Sequence, residues 1–168
     1  MTFTGFTYYD FIELLAVLYK PQSYLGLGVD LGECFKRMEQ LVPKATAVDI
    51  RQRFFPEKGT FFHGTTSQFF EQNEDLWDMI FIDACHAIDY VRSDLENSLK
   101  VLSKKGICIL HDTDPESVDL IDSIHCHNSY KIVDEIDTNK YFTFTFPTNN
   151  SGITILTLKS NRRCLEFV

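Results

Sequence analysis

The chain contains no Cys-x-x-Cys pair, and its five cysteines (34, 85, 108, 126 and 164) are odd in number and widely spread. That spacing excludes a disulfide framework and a zinc-ribbon site. Free thiols in a reducing cytoplasm are the expectation. No block of lysines and arginines occurs, and the net charge is −8. Nucleic acids and anionic membranes are held through positive footprints, so neither is an expected partner. No apolar run reaches the roughly 18 residues a membrane span needs. No basic stretch precedes an apolar run at the start, so no signal peptide is expected and the location is read as cytoplasmic. Internal repeats and low-complexity segments are also missing.

What is present is an ordinary globular composition: 168 residues, 44% hydrophobic and 24% charged. That is enough for a sizeable core, and one domain over 1–168 is the expectation. Its centre is Tyr24-Leu25-Gly26-Leu27-Gly28-Val29-Asp30-Leu31-Gly32-Glu33. Ser23 to Val29 is short and mostly apolar, which predicts a buried strand. From Leu31 the apolar residues (Leu31, Phe35, Met38, Leu41, Val42) recur at helical spacing. The join is therefore strand, glycine turn, helix. Gly26, Gly28 and Gly32 allow a tight turn and a close backbone approach. The helix start supplies unpaired N–H groups that suit a carboxylate or phosphate. The bland alternative is a tight turn with no ligand.

A helix over residues 8–20 precedes this stretch, with apolar residues at 8, 11, 12, 15, 18 and 19 and Pro21 as its stop. After it come predicted strands at 45–50, 60–63, 78–83 and 107–110. Predicted helices at 67–73 and 89–102 alternate with them, and Lys104, Lys105 and Gly106 close the second of these. The pattern implies a doubly wound α/β fold, a mostly parallel sheet with helices on both faces. The tail differs. Short helices are predicted at 117–124 and 129–136, the latter capped by Asn128 or Ser129. Two alternating strands, 141–146 and 153–158, then predict a C-terminal antiparallel hairpin. Residues 23–112 form the expected cofactor-binding core, and 113–137 the substrate-side segment.

In such sheets ligands bind beyond the carboxyl ends of the strands, near the point where strand order reverses. Asp30, Asp49, Thr65, Thr66, Ser67, Asp83, His86, His111, Asp112, Thr113 and Asp114 would converge there. Asp49 can accept two ribose hydroxyls, or be a solvated loop acid. Asp83 and Asp112 end neighbouring strands. They would repel unless a cation lies between them or backbone N–H groups satisfy them. His86 and His111 are general-base candidates because imidazole titrates near neutral pH. Each could equally bond a loop carbonyl. His125-Cys126-His127 is a local metal-ligand pattern, but three adjacent residues cannot easily face one ion.

These pieces resemble the class I S-adenosylmethionine-dependent methyltransferases, in the group with "FIDG-x-H" and "LHD" strand ends. Phe81-Ile82-Asp83-Ala84-Cys85-His86 and Leu110-His111-Asp112 carry the likeness. So do Ala47-Val48-Asp49-Ile50, His63-Gly64-Thr65-Thr66-Ser67 and Asp94-Leu95-Glu96-Asn97-Ser98-Leu99. The resemblance covers residues 8 to 159 and implies a seven-stranded sheet ending in an antiparallel strand. It implies S-adenosylmethionine as cofactor, with Gly26, Gly28 and Gly32 around its methionine part. Asp49 would lie on its ribose, Thr66 and Ser67 near its adenine, and Asp83 at the sulfonium end. In metal-dependent relatives the acids matching Asp83 and Asp112 hold Mg2+. Gly26 stands where relatives carry an acid, and Thr113 where they carry a second acid or amide. The expected activity is O-methylation of a small molecule or sugar. A nicotinamide (NAD) oxidoreductase and a non-catalytic nucleoside- or partner-binding protein are the alternatives. The expected partners are a small-molecule methyl acceptor and a second copy in a homodimer.

Overall fold

The computed structural model describes residues 5–122, 124–148 and 151–161; Cys164 lies outside them. Seven strands build one sheet. They are β1 Ser23–Leu27, β2 Lys44–Asp49, β3 Thr60–His63, β4 Trp77–Ile82, β5 Leu102–His111, β6 Tyr141–Phe146 and β7 Ile153–Leu158. Their order is β3-β2-β1-β4-β5-β7-β6. The first five are parallel, and β7 runs antiparallel to both β5 and β6. The chain winds outward from β1 to β3 and then returns to lay β4 on the other side of β1. Strand order therefore reverses between β1 and β4, where a crevice opens. Among the described residues no helix is long and apolar enough to cross a membrane.

Strand alternation sorts the core onto two faces. Tyr24, Met79, Phe81 and Ile109 point to the face covered by α1 (Tyr8–Tyr19) and α2 (Glu33–Leu41). Leu25, Leu27, Ile80, Ile82, Cys108 and Leu110 point to the other face. That face is covered by α3 (Thr66–Gln72), α4 (Ile88–Val101) and α5 (Ile132–Glu135). Each fully buried large side chain contributes about 1.5–3 kcal/mol, so the strands buried on both faces dominate the stability.

The helix starts show which local signals decide. Thr7 and Asp10 form a reciprocal capping box at α1, and Thr65 and Gln68 form another at α3. Both fix helix direction from the sequence alone. α2 has no side-chain cap; Gly32 starts it in the left-handed region at φ 77°. At α4 the cap comes from far away, since the Ile88 N–H donates to the Asn128 carboxamide at 2.7 Å. Asn128 makes no cap bond to the short helical turn at Ser129–Lys131, contrary to its expected role there.

Two further expectations are corrected. Lys104, Lys105 and Gly106 do not close a helix with a loop beyond it. β5 starts at Leu102, directly after α4, and they lie within it as a bulge. Trp77 pairs with Leu102 and Met79 with Ile107, so four residues of β5 are pushed out of register. The helix expected over 117–124 shrinks to one turn, Val118–Leu120. The Asp122 carboxylate takes the Ile124 and His125 N–H groups, which competes with helix propagation.

Candidate functional site

At the β1–β4 crossing lies a cavity of about 1120 Å3, lined from five strand ends and from α1. Typical ligand sites hold roughly 300–1,000 Å3, so this one has room for a cofactor and an acceptor together.

One half is made by backbone. Gly28 sits at φ 76°. A Cβ there would lie 2.3 Å from the Asp83 carbonyl oxygen and from the Ala84 Cα. Only glycine lets the β1 turn press against the end of β4, which the Asp83 N–H fixes by donating to the Leu27 carbonyl at 2.8 Å. Asp49, at the end of β2, accepts the Val29 and Asp30 N–H groups on one oxygen, each at 3.0 Å, and the Arg51 N–H on the other. It is neither a loose loop acid nor a free ligand. It holds the turn open, with lone pairs left over toward the cavity.

The other half is made by charge. Asp83 and Asp112 end β4 and β5, and two histidines stand between them. His111 Nδ1 lies 3.0 Å from Asp83 Oδ1 and 3.3 Å from Asp112 Oδ1. His86 Nε2 lies 3.1 Å from Asp112 and 3.7 Å from Asp83. Burial opposes charge on His111, but the two carboxylates overcome it and push its pKa up to about 10. His86 is raised as well, first by its bond to Asp83 and against burial. Burial favours the neutral acids, yet the histidines hold both carboxyls below their usual range. Both acids thus face histidine nitrogens rather than backbone N–H groups. Asp112 adopts φ 57°, a conformation costly for a non-glycine residue. Its carbonyl accepts the Ser129 hydroxyl, and Cys126 Sγ approaches its carboxylate at 3.6 Å.

Tyr8 closes this half from α1. Its ring lies over His111 with centroids 4.1 Å apart, and its hydroxyl reaches Asp83 at 3.4 Å. On the far side of His111, Nε2 meets the Ser151 hydroxyl at 3.3 Å. His86 Nδ1 is anchored on the His125 carbonyl.

A methyltransferase domain model matches residues 13–113. The chain belongs to this methyltransferase family. Together with the strand order, the match makes it a class I S-adenosylmethionine-dependent methyltransferase, as the sequence resemblance implied. Solved structures share the fold at low identity. A candidate caffeoyl-CoA O-methyltransferase of Staphylococcus aureus superposes with TM-score 0.73 at 17% identity, over 90% of this chain and 82% of that one. An O-methyltransferase of Bacillus cereus in complex with S-adenosylhomocysteine gives 0.67 at 13%, over 90% and 80%. An rRNA methylase of Streptococcus thermophilus gives 0.62 at 11%, over 82% and 86%. A sequence search of curated proteins finds no match.

Of the residues singled out in sequence, the methyltransferase brings Gly28, Asp49, Thr66, Asp83, His86, His111 and Asp112 to one cavity. Gly26, Gly32 and Ser67 do not line it. Gly26 packs beside Val29 and Tyr24: an added Cβ would lie 3.0 Å from Val29 Cγ1 and 3.4 Å from the Tyr24 ring. Gly32 backs onto the Phe54 ring instead. Thr113 is buried with its hydroxyl bonded to Thr154, so it turns away from Asp112's carboxylate. His125, Cys126 and His127 address three separate partners: Asp122, Asp112 and Asn128.

Tyr8 and Asp94 line the cavity without having been singled out. Tyr8 read as one more apolar position of an amphipathic helix. Asp94 stood inside a family-like stretch, and its polar character at a buried helix position was the available signal. It is 3% exposed. Burial raises its pKa to about 6, partly offset by a bond from the Thr66 hydroxyl.

Proposed function

We propose that this methyltransferase transfers the methyl group of S-adenosylmethionine to a hydroxyl of a small molecule. One observation carries the reading. A glycine turn braced by Asp49 and an acid–histidine cluster at Asp83 and Asp112 open into the same cavity. Bound there, S-adenosylmethionine would supply an electrophilic methyl carbon. Gly28 and Asp49 would seat the nucleoside end, Asp49 through its remaining lone pairs on the ribose. Thr66, beside Asp94, would border the adenine. Asp83 would offset the sulfonium charge. Holding donor and acceptor in line would supply most of the acceleration.

The acceptor hydroxyl must lose a proton, and His86 is the better-placed acceptor for it. Its Nδ1 is held on the His125 carbonyl, and its Nε2 borders the cavity 3.1 Å from Asp112, so the neutral ring would take the proton at Nε2 with that carboxylate beside it. His111 has Nδ1 on Asp83 and Nε2 on Ser151, so it serves as a fixed counter-charge. Asp83 and Asp112 would supply the carboxylate oxygens that a Mg2+ ion takes, in a cluster whose donor atoms, with His86, lie within 4.8 Å of one another. Such an ion, when bound, would lower the pKa of a coordinated hydroxyl.

The test is calorimetry with S-adenosylhomocysteine and with NAD. Micromolar binding of the first alone is expected. Binding of NAD alone would restore the oxidoreductase, which the family match leaves without support. Binding of neither would favour a non-catalytic protein.

A further inference from the structure

α4 buries an acid where its pattern calls for an apolar residue. Val91, Asp94, Leu95 and Ser98 form the buried stripe of this helix, and Asp94 is 3% exposed within it. A carboxylate has room for about four hydrogen bonds. Among the described residues the Thr66 hydroxyl is the one side-chain donor that Asp94 receives, and no cation faces it. A buried acid left short of donors destabilises the free protein, and a ligand carrying N–H groups removes that penalty. Asp94 lines the cavity, so a ligand can reach it.

The sheet decides which part of a ligand arrives there. The order β3-β2-β1-β4 sets the ends of β4, β1, β2 and β3 in a row. A cofactor with its sulfonium at Asp83 and its ribose at Asp49 therefore extends its base past β2, toward Thr65 and Thr66 at the start of α3. Asp94 stands against Thr66. The mouth of this corner is apolar. Ile50, directly after Asp49, lines the cavity and is 61% exposed. Tyr90 lies one turn before Asp94 on the same face of α4, lines the cavity and is 62% exposed. Exposed apolar groups at a cavity mouth fit the faces of a flat ring, and a buried acid deeper in fits its donor edge.

We infer that Asp94 is the specificity-determining residue for the cofactor's base: its carboxyl group accepts a hydrogen bond from the amino group at C6 of adenine. The inference rests on the methyl-transfer reading and deepens it, giving a task in binding to a buried acid that the transfer step leaves unused. A purine without that amino group leaves the acid unpaired, and a site built around an N–H rejects such an analogue.

Calorimetry at pH 8, where Asp94 is ionised, compares S-adenosylhomocysteine with its 6-deamino analogue, in which hydrogen replaces the amino group on C6. Wild type should bind the parent at least about tenfold more tightly. In Asp94→Ala that preference should collapse, the parent weakening by the same factor while the analogue changes little. Asp94→Asn keeps one neutral acceptor oxygen and should show a preference smaller than that of wild type. A merely structural role for Asp94 would weaken both ligands alike. The inference is overturned if wild type binds the two equally, if Asp94→Ala keeps the preference, or if it lowers both affinities by one factor. Should Asp94→Ala fail to fold, Asp94→Asn decides, and a preference equal to that of wild type overturns the inference. Failure of wild type to bind S-adenosylhomocysteine at all would instead sink the methyl-transfer reading.

Discussion

The two halves of the cavity solve the same problem by different means. At the β1 turn, backbone conformation shapes the site: Gly28 at positive φ, with N–H groups gathered by one carboxylate. At the β4 and β5 ends, four ionisable side chains shape it by compensating one another. The first half is fixed chiefly by backbone sterics at Gly28, with Asp49 bracing the turn. The second half is fixed by charge, so it responds to salt and pH. A nucleoside needs the same cradle on every turnover, whereas an acceptor hydroxyl needs groups that can exchange protons. On the proposed function, the difference between the halves would match that division of labour.

The comparison breaks most sharply at Asp83. Asp83→Ala leaves His111 and His86 facing one carboxylate instead of two. Removing one partner of a buried ion pair costs about 3–5 kcal/mol. A fall of that size in chemical denaturation is expected, with loss of S-adenosylhomocysteine binding. The pH profile checks its origin. His111 has a folded pKa of about 10 against 6.5 unfolded. It therefore contributes stability that is complete below pH 6.5 and is lost as pH rises through 10. Asp83 is lowered from 3.8, so its contribution is present above pH 3.8 and lost on acidification below it. Wild type should lose stability at both ends, and Asp83→Ala should show a much flatter profile between pH 7 and 10. An unchanged profile would separate His111 from the acids.

Gly28→Ala tests the conformational half. With the added carbon 2.3 Å from backbone atoms of Asp83 and Ala84, just past β4, and φ at 76°, the two turns must move apart. A cost of about 3 kcal/mol is expected from overpacking and backbone strain together. The loss should be independent of pH between 5 and 9. A pH-dependent loss would show that the two halves are not separable.

Asp49→Ala should cost less, about 2 kcal/mol, as charge-assisted bonds to backbone N–H groups are removed. Thermal unfolding gives the stability change, and calorimetry should show at least about a hundredfold loss of S-adenosylhomocysteine affinity, some 2.7 kcal/mol. Retained affinity would leave Asp49 as a brace only.

Asp94→Asn should be the smallest and of opposite sign. An acid raised from 3.8 to about 6 is destabilising once pH exceeds its unfolded pKa, and the penalty is full above 6. The variant should gain about 1–2 kcal/mol at pH 8, discounted from the roughly 3 that the shift would imply. It should gain nothing at pH 3.5. An equal gain at both values would make the effect one of packing.

Much of the fold was legible because it rests on local rules. Apolar strands of four to six residues, helical spacing in α1, α2 and α4, and the capping boxes at Thr7 and Thr65 each act over a few residues. What escaped prediction depends on contacts far apart in the chain. Asn128 caps α4 forty residues away, β5 bulges to keep Ile107 opposite Met79, and Asp122 stops a helix by taking its N–H groups. The site divides likewise. Gly28 and Asp49 could be named from a turn and a spacing, but Tyr8 could not, because its partners are 75 and 103 residues distant.

The sequence alone determined the alternation of strand and helix, the glycine turn and which acids end which strands, because periodicity and glycine sterics are properties of neighbouring residues. Only the tertiary structure decided that His86 and His111 would stand against Asp83 and Asp112, and that Tyr8 would lie over His111. Charge compensation and ring contacts depend on distances through space, and parallel crossovers join residues that the chain keeps far apart.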